Sequence, residues 1–221
     1  MSTIRDLIIV PGHAAFKANV KADTLPADIA QDELWALQSF QKGEPRFYIE
    51  HMHTGVELLQ SQPQSLLVPS GGRTRLEAGE WSEAATNVAV ARHYGWWSKS
   101  KNGDRLGDRT VLDEFARDSL ENLANGVLRF RQVVGRDPEL ITVVGWKFKQ
   151  QRFDLHRQAL GIDFDQFIYI GCNDPVNVRQ AMIGETQTLA QFQADPYAER
   201  SPLSDKRKAR NPFHQVMPTI G

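Results

Sequence analysis

Four short apolar runs, at residues 7–10, 66–68, 140–144 and 167–170, constrain the fold more than any other feature of the chain. Each is continuous rather than alternating, as expected of a strand covered on both faces. Between the runs the apolar spacing turns helical. In 114–135, Phe115, Leu123, Val127, Phe130 and Val134 recur at intervals of three, four or eight, while Asp118, Asn122, Asn125, Arg129 and Gln132 occupy the other side. Similar patterns predict helices over 29–40, 46–60, 82–94 and 149–160. Strands alternating with helices of this length predict βαβ units and a doubly wound, mostly parallel α/β sheet in one domain.

The 221 residues suit one large domain better than two, and a 41% hydrophobic content with 11 Phe and 5 Trp supplies a core. A core domain over 1–184 is expected, followed by an irregular extension over 185–221, because Pro196, Pro202, Pro212 and Pro218 stop any long helix. A second irregular stretch is expected over 96–110, leading to a short strand near 110–112. With Lys+Arg 26 against Asp+Glu 27 there is no basic excess, so nucleic acid is not an expected partner. The single cysteine, Cys172, excludes an intramolecular disulfide, and no apolar run approaches the ~20 residues that span a bilayer. The N-terminal segment reads as a strand and not a signal peptide, so a soluble, cytoplasmic protein without a membrane partner is the expectation.

Ligands of open parallel sheets bind beyond the carboxyl ends of the strands. There the chain places Pro11-Gly12-His13, then 69–75 with Ser70, Gly71, Gly72, Arg73, Thr74 and Arg75, then 145–149 with Trp146, Lys147 and Phe148. Glycines at strand ends bring main-chain N–H groups close to a guest, which favours an anionic or nucleotide-like ligand or else marks simple tight turns. No GxGxxG or GxxxxGK[ST] fingerprint is present, and no GxSxG elbow. Glu83 suits a proton acceptor or a ligand-hydroxyl partner, or a first-turn acid behind an N-capping Ser82. Asp118, Ser119 and Asn122 either point into a pocket or cap a helix. Arg73, Arg75, Lys147 and Arg152 suit phosphate or carboxylate neutralisation, or solvated surface. Trp146 and Phe148 suit stacking on a base or packing under a loop, and His13 suits a general base or a structural role.

Glu50-His51-Met52-His53 does not read as a metal site. On a helix His51 and His53 point about 200° apart, although Glu50, His53 and Glu57 could line one face; no second Glu-x-x-His completes a dimetal centre, and the segment reads as a solvated face. No metal is expected. The cluster at 206–210 suits a polyanion patch or a structural, pocket-closing role.

Taken in order, SGGRT, WSEA, RDSLEN and a strand leading into a helix with Arg152 resemble the YdcF-like family, which includes SanA-like and ElyC-like proteins. A pattern close to that of fungal-type members runs over 145–160, with an RNPF element at 210–213, so the resemblance covers nearly the whole chain. It implies a Rossmann-like α/β fold and, from a bacterial member, S-adenosylmethionine as the possible cofactor. The family's Ser-Gly-Gly-x-Thr falls on Ser70, Gly71, Gly72 and Thr74, its Ser-Glu-Ala on Ser82, Glu83 and Ala84, and the bacterial Asn-Thr-x-Glu-Asn on 118–122. Bacterial members carry a His where this chain has Lys149, so a shared His-dependent chemistry would fall to His13, Lys149 or His156. The expected function is a small-molecule enzyme acting on a nucleotide-like or anionic substrate, with Glu83 or His13 handling a proton and the 71–72 main chain cradling the anion. Alternatives are a non-catalytic metabolite sensor and a hydrolase of phosphorylated substrates. The membrane anchor usual in envelope-linked members is missing, which argues against envelope substrates.

Overall fold

The computed structural model describes residues 4–97 and 105–216. All four apolar runs are strands: β1 (Asp6–Pro11), β2 (Ser65–Ser70), β3 (Leu140–Gly145) and β4 (Phe167–Gly171). They pair in parallel in the order β2-β1-β3-β4. Successive side chains of β1 leave on opposite faces. Leu7 and Ile9 join a core with Leu123 and Phe130, while Ile8 and Val10 join one with Met52, Val56 and Leu59. Both sides of each central strand are thus apolar, which is why the runs do not alternate.

Helices α1 (Pro45–Ser61) and α2 (Glu83–His93) cover one face, and α3 (Ser119–Val134) and α4 (Gln150–Ala159) cover the other. Their starts follow from local chemistry. Pro45 opens α1, Ser82 accepts the Ala85 N–H ahead of α2, and Asp118 accepts the Glu121 N–H ahead of α3, which ends on Gly135 in the left-handed region. Two further helices follow β4: α5 (Val178–Ala194) and α6 (Leu203–Ala209). The result is a single α/β domain with a Rossmann-like parallel sheet.

Three expectations are corrected. Residues 29–40 hold no α-helix, only 3-10 turns at Asp32–Leu34 and Ser39–Gln41. Ile29, Trp35 and Ala36 are buried by an extended segment, in which Trp35 Nε1 donates to the Ile29 carbonyl and Ala36 N–H to that of Ala15. Helical spacing there records burial against Phe16 and Tyr48, not helix. The extension is not irregular either. The 184/185 boundary falls inside α5, which carries on until Ala194, just ahead of Pro196, and Phe192, Ala198 and Leu203 pack against Leu120 of α3. Near 110–112 there is no ladder: single parallel bridges link Leu67 with Thr110 and Ser70 with Asp113, so this segment shields the outer edge of β2. Of the 96–110 excursion, 98–104 lie outside the described residues, as does Pro218. Among the described residues, no helix is long and apolar enough to cross a membrane.

Arg109 is a buried structural cation without a sequence signal. Its guanidinium donates to the carbonyls of Leu59, Gln62 and Ser65, tying the end of α1 to the start of β2. Since hydrogen bonds to charged groups contribute about 1.5–3 kcal/mol each, Arg109→Met should lower stability by about 3 kcal/mol or more in urea unfolding. A midpoint equal to wild type would show that these bonds are dispensable.

Candidate active-site cleft

The chain moves outward from β1 to β2, then returns past β1 to β3, so the switch of direction lies between β1 and β3. A cleft of about 560 Å³ opens at the carboxyl ends of these strands, as open parallel sheets dictate. Its floor holds Gly12, His13 and Glu83. One wall carries Thr74 and Arg75, another Asp118, Ser119 and Asn122 at the start of α3, and the third Trp146, Phe148, Lys149 and Arg152, while α5 and Arg210 close the side.

Gly12 is required because a Cβ there would fall on the Glu83 side chain, and a Cβ on Gly71, at φ +157°, would meet the same side chain at 2.7 Å. These glycines let the loops close tightly over the start of α2. Glu83 then accepts the Thr74 hydroxyl at 2.7 Å. Burial raises its pKa, opposed by that hydroxyl and by the Arg210 and Arg75 charges.

Arg75 reaches the cleft between Glu83 and Arg210. Among the described residues its Nε is buried without a hydrogen-bond partner, and burial lowers its pKa. Lys149 Nζ lies 3.4 Å from His13 Nδ1, and desolvation, with Arg152 nearby, lowers its pKa to about 7. Burial, then Lys149 and His51, hold His13 well below the usual imidazole range, and its Nε2 has no partner among the described residues. His13 is therefore neutral and packs among Tyr48, His51 and Trp146.

Several predicted residues lie elsewhere. The N–H groups of Gly71 and Gly72 already donate to the Asp113 and Ala116 carbonyls, so this main chain does not cradle an anion. Ser70 is buried, its hydroxyl on Asp113 at 2.7 Å. Arg73 donates to the Gly79 carbonyl and stacks 4.1 Å from the Phe213 ring, which gives the RNPF element a structural role. Lys147 is exposed, 3.5 Å from Asp174. The residue two positions on, Lys149, supplies the cleft's amine instead. Arg152 does line the cleft but pairs with Glu185 of α5 at 2.8 Å, both being nearly buried. Asp118 similarly holds Arg207 at 2.7 Å.

His51 overturns the solvated-face reading of 50–53. It is buried, with Nε2 2.8 Å from Asn173 Oδ1, and its pKa falls to about 4 by desolvation. Glu50 is exposed, and His53, 3.8 Å from Glu57, is half-buried. Ser119 Oγ is 2.8 Å from His156 Nε2, a nucleophile-like pair. Burial, then Arg152, push the His156 pKa to about 3, so the imidazolium that such a serine would generate is opposed. Among the described residues no three His, Cys, Asp or Glu side chains converge on a metal position. Glu44, just ahead of α1, whose carboxylate accepts the Tyr48 hydroxyl at 2.8 Å, and Glu185 of α5 also line the cleft without a sequence signal, because neither follows a strand end.

Fold and cleft together define a single-domain α/β protein with a ligand-sized site at the switch point of a parallel sheet. The chain is similar to the uncharacterized protein YOR238W of Saccharomyces cerevisiae, with 28% identity over 259 residues, covering 96% of this chain and 86% of the relative. No family model matches the chain, and no solved structure matches it.

Proposed function

We propose that this protein is a small-molecule enzyme of the YdcF-like kind, acting on an anionic or nucleotide-like substrate in the cleft at the ends of β1 and β3. The observation that carries the reading is Arg75, a guanidinium turned into the cleft with a buried donor unused by the described residues. Buried donors are seldom left unmatched, and a carboxylate or phosphate supplies the acceptors that fit a guanidinium. Arg210 adds positive charge, while Glu83 lines the same cleft with a raised pKa. A volume of about 560 Å³ accommodates a nucleoside-sized ligand. S-adenosylmethionine, suggested by the family resemblance, is the first ligand to test.

Thermal shift with S-adenosylmethionine, S-adenosylhomocysteine, nucleotides and phosphorylated sugars should reveal saturable stabilisation by one class. With that ligand, Glu83→Gln should cut turnover by about 100-fold or more while folding is retained. Undiminished turnover would remove Glu83 from the chemistry, and tight binding without conversion by wild type would make the protein a sensor.

A further inference from the structure

Lys149 is set apart from the exposed Lys147 by its surroundings. It stands at the turn before α4, walled by Trp146, Phe148 and α5, and no carboxylate makes an ion pair with it among the described residues. Its Nζ lies 3.4 Å from the Nδ1 of neutral His13. Lysines are normally solvated or paired, because an unpaired ammonium in a desolvated site is costly. Arg152 and Arg210 oppose the charge, and Glu185, already engaged by Arg152, only partly offsets them. The amine is consequently available as a nucleophile near neutral pH, the condition for imine chemistry.

We propose that Lys149 forms an imine with the carbonyl group of an anionic aldehyde or ketone bound in the cleft. The proposal rests on the anionic-ligand reading above and adds the reaction class. The Nζ lone pair attacks the carbonyl carbon, forming the C–N bond, and one of the two amine protons passes to the carbonyl oxygen, giving a carbinolamine. The second amine proton leaves with that hydroxyl as water, so that the C–O bond breaks and the C=N bond remains, while neutral His13, 3.4 Å from Nζ, orients the amine. Arg75 and Arg210, which line the same cleft, hold the anionic end of the carbonyl compound. The neighbouring His51, neutral and fixed by Asn173, and Trp146 keep His13 in place.

The test treats the full chain with pyridoxal 5′-phosphate in mildly alkaline buffer, reduces with borohydride and maps the secondary amine by peptide mass spectrometry. The expected result is modification of Lys149 at concentrations about 10-fold or more below those that label surface lysines such as Lys147 and Lys208. Lys149→Arg abolishes that early label, and His13→Phe slows its formation in a folded protein. Labelling of surface lysines with Lys149 unmodified overturns the proposal. Pyridoxine 5′-phosphate, which has the phosphate and no aldehyde, separates the two readings by thermal shift. If it stabilises the protein but Lys149 takes no label, imine formation fails and the anion site stands; if neither binds nor labels, both fall.

Discussion

An Arg75→Met variant binds an anionic ligand of the cleft about 10- to 100-fold more weakly than wild type, measured by calorimetry, and melts no lower. A hydrogen bond to a charged group contributes about 1.5–3 kcal/mol and each 1.4 kcal/mol is tenfold in affinity. Stability is preserved because none of the described residues accepts a hydrogen bond from the buried Nε, and removing a partly desolvated charge relieves a cost. Affinity unchanged in this variant would remove Arg75 from the site and with it the main support for an anionic ligand.

Arg152→Met has the opposite signature, with stability lost first. Arg152 and Glu185 are 12% and 7% exposed and meet at 2.8 Å and 3.0 Å, so truncating the arginine strands a buried carboxylate. Breaking such a pair costs about 3–5 kcal/mol, which for a chain of this size lowers the melting temperature by roughly 6–20 °C. An Arg152→Met/Glu185→Leu double variant should recover most of that loss, since the uncompensated charge is then gone. If Arg152→Met alone melts like wild type, the pair is not structural and Arg152 returns to the list of ligand-binding groups. The contrast separates two arginines that look alike in sequence: one is matched across the α4–α5 contact, the other faces the cleft.

Much of the site's position was legible because it depends on local chemistry. Gly12, His13, Thr74 and Trp146 follow strand ends, and Asp118 marks the start of α3 by its capping pattern. All of them reach the cleft. What was illegible depended on where each donor finds its acceptor. The Gly71 and Gly72 N–H groups look free in a loop, yet the 113–116 segment runs alongside and takes both. His51 looks like a solvated helix residue because its neighbours Glu50 and His53 are polar, but Asn173 comes from beyond β4, 122 positions away, to bind it in the interior. The 29–40 pattern misled for a related reason: burial of Ile29 and Trp35 imposes apolar spacing on any backbone that covers them.

The sequence by itself determined the strands, four of the helices and the end of the sheet at which the cleft opens, because continuous apolar runs, caps and strand-end glycines act over a few residues. Only the tertiary structure decided which charges remain free for a ligand. That depends on the approach of α5 to Arg152, of α6 to Asp118 and of His13 to Lys149, contacts between segments distant in the chain whose distances set both hydrogen-bond partners and the desolvation of each charge.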